Sequence, residues 1–201
     1  MEEILNKIKL FLRSFFHQEH TTVEVVKKLT DCIGIEVGRL FNDKEFQELL
    51  HFDKLNDKEK NSIEYELFIG GFSFGVLFFE HVSTQNEYPI NEIFATLGIE
   101  LNSSFGNELT KHGANEEMRD VWNTAIRKRV IEYREFYENN KDELPNEVKK
   151  SYYWQYIIAD RSMDRLRKGK KDSKDLLFEK IFSWTIEISN KMFKIVNKTL
   201  V

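Results

Sequence analysis

The chain has 201 residues, 41% of them hydrophobic and 32% charged, which suits one well-cored domain and excludes a disordered one. Nine Gly and two Pro are too few for the tight turns of a β-sandwich or barrel, which leaves a helical fold. Thirty Lys+Arg against 34 Asp+Glu give a formal charge of −4, a balance that does not attract nucleic acid, and the lone Cys32 excludes an intramolecular disulfide or a multi-thiolate zinc site.

Apolar residues recurring at helical spacing divide the chain into segments. Ile4, Leu5, Ile8, Phe11, Leu12, Phe15 and Phe16 share one face of a helix over 2–18. Glu2, Glu3, Lys7 and Lys9 leave that start without the basic-then-apolar layout of a signal peptide. Thr21 and Thr22 are suited to cap a second helix, in which Val23, Val26, Leu29, Ile33, Val37, Leu40 and Phe41 keep a single phase. Asn42 or Asp43 then caps a short helix through Phe46, Leu49 and Leu50. Asn56 or Asp57 starts another, from about Lys58 to Val82. One helix or a pair covers about 90–112, with Gly98 a candidate break and Gly113 a C-terminal stop. A long helix over about 115–139 turns Met118, Val121, Trp122, Ala125, Ile126, Val130, Tyr133 and Tyr137 inward. Pro145 suits the first turn of a helix over 146–168, and Ser173 caps a last one to about Thr199. The expected architecture is a single all-α domain over 1–201, a bundle of seven or eight helices. Any subdomain division would fall near 83–90 or 113.

Within the fourth segment, Gly70, Gly71 and Gly75 sit among Phe68, Phe72, Phe74, Phe78 and Phe79. A mid-helix Gly costs about 0.5–1 kcal/mol against Ala, so three of them imply close approach of other helices around a buried central helix. They also leave room, in principle, for an apolar ligand between helices. The apolar window from Leu67 to Phe79 is shorter than the roughly 20 residues a spanning helix needs, so no membrane is expected and the location is read as cytoplasmic.

Thr21-Thr22-Val23-Glu24-Val25-Val26, then Gly34-Ile35-Glu36-Val37-Gly38-Arg39-Leu40-Phe41 and Lys44-Glu45, loosely resemble the N-terminal helix-turn-helix of tetracycline-repressor-type regulators. The resemblance covers about thirty residues and implies a DNA-binding start with Arg39 and Lys44 near phosphate. The apolar phase, however, runs unbroken through Gly34 and Gly38, where that motif turns. Residues 1–55 also carry 8 basic and 10 acidic side chains, the reverse of what phosphate contact requires.

Two acidic constellations bear on metal chemistry. Glu48-x-x-His51 is one half of a di-iron spacing and has no second half, so no metal or other cofactor is expected from it. Glu132 and Glu135 on one helix and Asp160 and Asp164 on the next are the candidate Mg²⁺ ligands of a phosphohydrolase. Arg129 and Arg134 offer these carboxylates ordinary surface pairing instead. No P-loop, dinucleotide fingerprint or HExxH is present, and no catalytic residue is assigned.

The stretch from Ser151 to Lys174 is unusual. Val148, Tyr152, Tyr156, Ala159, Met163 and Leu166 form one stripe, while Tyr153, Trp154 and Ile157 form a second, so the helix meets neighbours on two sides. Seven basic residues then fall between Arg161 and Lys174 against Asp164 and Asp172. The charge is also uneven along the chain: 10 basic and 19 acidic residues in 1–110 (−9), 20 and 15 in 111–201 (+5). The function expected from this pattern is non-enzymatic. It is a helical interaction or regulatory protein that holds a protein partner or a second copy through 146–171. Tyr153, Trp154, Ile157, Arg161, Arg165 and Arg167 are the contact residues.

Overall fold

The computed structural model describes residues 19–87, 90–144, 146, 148, 152–167 and 176–200. The amphipathic segment 2–18, Pro145 and Ser173 lie outside the described residues. Among those described are seven α-helices, no strand, and one 3₁₀ turn at Phe52–Lys54: α1 (Glu19–Phe41), α2 (Lys44–Leu49), α3 (Asp57–Thr84), α4 (Ile90–Lys111), α5 (Glu116–Asn140), α6 (Tyr153–Leu166) and α7 (Leu176–Leu200). The chain is an all-α bundle.

The starts of three helices follow from local chemistry. Asp43 accepts the Phe46 N–H at 2.9 Å, and Asn115 accepts the Met118 N–H at 2.8 Å. Asn56 and Glu59 form a reciprocal capping box, with bonds of 3.0 and 3.1 Å, so the first-turn amides of α3 have partners.

Helix α3 lies at the centre and packs on α1, α4, α5, α6 and α7. Eight consecutive residues, 70–77, are buried, which only a helix enclosed on all sides achieves. By length and composition α3 is the one helix among those described that could cross a membrane, yet 56% of its most apolar window is buried inside the bundle. The glycines are where neighbours come close. A Cβ at Gly71 would lie 3.0 Å from Ile33 of α1, and one at Gly75 would lie 2.5 Å from Leu101 of α4. Neighbouring side chains occupy the space beside these two glycines, so the room imagined for an apolar ligand is filled.

Several expectations change. Thr21 and Thr22 already lie within helix α1, which is helical from the first described residue, and α4 runs unbroken through Gly98. Val25, not Val23, is the first buried valine of α1. Met118 and Val121 are exposed. A Cβ on Gly106 would meet Asn123 and Arg119 within 3 Å, so α4 approaches α5 along that flank and leaves Met118 and Val121 outside. Finally, the stretch resembling a helix-turn-helix is one continuous helix to Phe41, followed by the six-residue α2. No turn falls at Gly34 or Gly38, where that motif needs one, because the apolar stripe keeps one axis as far as Phe41.

Candidate functional site: the seam between α3, α5 and α6

Helix α6 carries most of the residues expected to make contacts, and it is held on both sides. One side faces α7 and the other faces α3 and α5. The second apolar stripe is therefore absorbed within the chain. Ile157 is fully buried, Trp154 is buried, and Tyr153 is half-buried. Trp154 and Ile157 are core and Tyr153 packs against it, so these residues do not form the exposed second face expected of them.

Tyr153 belongs to an aromatic corner. Its ring stacks on Tyr137 at 4.8 Å and lies 4.9 Å from Trp154. Its hydroxyl is 2.6 Å from Nδ1 of His81, at the end of α3. Burial, and then the neighbouring Tyr137, push the Tyr153 pKa up to about 12, while burial lowers that of His81. The phenol is thus protonated and the imidazole neutral near neutral pH, and the two share one hydrogen bond whose donor is set by the His81 tautomer.

Two turns further along α6, three guanidiniums and three carboxylates meet. Arg129 of α5 forms a two-pronged ion pair with Glu66 of α3, one contact of which is 3.1 Å. Arg165 of α6 has its Nε 3.3 Å from Glu66 and donates through Nη2 to Glu132 of α5. Arg161 donates to Asp164 at 2.7 Å and lies 3.8 Å from Glu132, with its guanidinium 4.9 Å from the Phe136 ring. Burial alone would weaken the charge on Arg129, but the Glu66 carboxylate outweighs it and holds its pKa above the ordinary value. Alongside, the fully buried Tyr133 hydroxyl lies near Ser162 and the side-chain-free face of Gly70, and burial pushes its pKa up.

This arrangement redistributes the expected site residues. Arg161, Arg165, Glu132 and Asp164 are brought together. Asp160 is half-buried on α6, and Glu135 is exposed. Arg167 caps the end of α6. Glu132 and Asp164, read as metal ligands, instead accept from arginines, and Arg134 pairs with Glu80. Among the described residues no three His, Cys, Asp or Glu converge as a metal would require. Glu48 and His51 are both exposed. Arg39 pairs with Glu36 and Glu187, which ties α1 to α7. Two open grooves, of about 500 and 510 Å³, flank α1 against α4 and α7, and no residue of this seam lines them.

Sequence reasoning missed Glu66, His81 and Tyr133 as site residues. The one available signal was Glu66 itself, the last carboxylate before an apolar run, which calls for a cation from another helix where it is buried. Compared with known protein families, with curated proteins and with solved structures, the chain matches none.

Proposed function

We propose that this chain is a non-catalytic helical interaction protein that holds a protein partner, or a second copy of itself, at the open side of the 146–171 region. With Trp154 and Ile157 committed to the core, the accessible part is an aromatic strip where α6 meets the start of α7. Tyr152 is 46% exposed and Leu176 is 56% exposed, beside half-buried Tyr156, Phe178 and Phe182. Phe178 and Phe182 stack at 5.8 Å, Tyr156 meets Phe178 at 5.2 Å, and Tyr152 meets Phe182 at 6.4 Å. Four rings ordered against one another, with their edges reaching water, are the kind of surface that anchors protein contacts. That strip is the observation supporting the reading.

The test is light scattering on the purified chain together with affinity capture from its own cell extract, for wild type and for Tyr152→Ala/Phe182→Ala. The reading expects assembly or capture by the wild type and its loss in the double variant, with helix content retained by circular dichroism. A wild type that is monomeric and captures nothing, or a variant that behaves like it, would defeat this surface.

A further inference from the structure

Glu132 stands apart from the other two carboxylates of the seam. Arg129, Arg161 and Arg165 all reach it, with Nε of Arg129 at 3.5 Å and Nη2 of Arg161 at 3.8 Å, and Arg165 forms the closest contact. It is also the most open, its side chain 37% exposed against 16% for Glu66 and 17% for Asp164. A guanidinium offers five N–H donors in a fixed plane, and a carboxylate has two oxygens to receive them. The carboxylates do not satisfy every donor: Nε of Arg161 is buried without a hydrogen-bond partner, and Nε of Arg165, 3.3 Å from Glu66, makes an ion pair without hydrogen-bond geometry. The Tyr133 hydroxyl, fully buried beside Arg129, has no well-formed bond either.

We propose that the three arginines form a binding site for a phosphate group and that Glu132 occupies it as an internal stand-in. A tetrahedral phosphate presents more oxygens than a carboxylate and is matched in a bidentate manner by guanidinium planes. Glu132 is half-exposed at the border of its helix face and can turn into water when phosphate enters. Arg129 and Arg165 stay anchored by Glu66 and Arg161 by Asp164, so the cradle persists without Glu132. Its occupied form carries three positive charges against Glu66, Asp164 and the phosphate. The binding is non-covalent. It does not depend on the aromatic strip, since the ligand is a small anion and the chain alone suffices.

The test is calorimetric titration of purified wild type, Glu132→Gln and Glu132→Gln/Arg165→Gln with inorganic phosphate, and separately with phenyl phosphate, at constant ionic strength. Removing one negative charge within about 4 Å of the ligand should tighten phosphate binding by about tenfold in Glu132→Gln. Adding Arg165→Gln should abolish that gain. If Glu132→Gln does not fold, Glu132→Asp, which keeps the charge and retracts it by one methylene, should bind more tightly than wild type. Binding of phenyl phosphate at least as tight as that of inorganic phosphate assigns a phosphomonoester as the ligand, and weaker binding assigns free phosphate. Affinity in the folded Glu132 variant no higher than in wild type, or unchanged on loss of Arg165, overturns the site.

Discussion

Replacing Gly75 with alanine tests the central helix most directly. The added Cβ would lie 2.5 Å from Leu101 Cδ2, 3.3 Å from Ile33 Cδ1 and 3.6 Å from Met192 Sδ. Those three side chains come from α4, α1 and α7 and are fully buried, so the leucine methyl has no open space to retreat into. Helix propensity favours the alanine by about 0.5–1 kcal/mol, whereas forcing a methyl into a filled core costs about 1–3 kcal/mol. The expected net effect is a loss of about 1 kcal/mol, a fall in Tm of roughly 2–4 °C for a domain of this size. Gly38 supplies the control, because a Cβ there meets nothing within 4 Å. Gly38→Ala should gain only the propensity term, about 0.5–1 kcal/mol. Thermal and urea melts of the two variants beside wild type, followed by circular dichroism, read both signs. A Gly75→Ala protein as stable as wild type would refute the close packing of α3.

Ile157→Ala should cost about 2–5 kcal/mol, since the side chain is fully buried; a urea midpoint unchanged from wild type would return this residue to the surface. Arg129→Met should destabilise by about 3 kcal/mol by leaving Glu66 poorly compensated, and adding Glu66→Met should recover most of it. A double variant no more stable than the single one contradicts the pairing. For His81, burial lowers the folded pKa from its ordinary 6.5, so the unfolded chain takes up the proton first. The stability it supports is whole above pH 6.5 and is lost as pH falls through the lowered folded value. The Tm difference between wild type and His81→Gln should therefore narrow on acidification below that point, and a difference independent of pH would speak against it.

Much of the fold was legible in the sequence because helices answer to local rules. The unbroken phase of α1, the caps expected at Asn42 or Asp43 and at Asn56 or Asp57, of which Asp43 and Asn56 form, and the enclosure of α3 implied by its glycines and phenylalanines all depend on neighbours within a few residues. Helical spacing misplaced Val23, Met118 and Val121, each apolar and near a helix start. Which side is inside there depends on how closely another helix arrives, as α4 does at Gly106. The site was less legible. Two stripes on α6 meant two contacts, but periodicity does not say whether a neighbour belongs to the same chain.

The sequence by itself determined an all-helical chain, most of its segments and the choice of α3 as the buried one, since these rest on periodicity and capping. Only the tertiary structure decided that Trp154 and Ile157 are core and that Glu132 and Asp164 are held by arginines. It also decided that Glu66 meets Arg129 across 63 positions of sequence. The physical reason is range. Helix propensity and capping act within one or two turns, whereas an ion pair or a packed ring depends on where three separate helices come to rest, and α3, α5 and α6 meet only in the folded bundle.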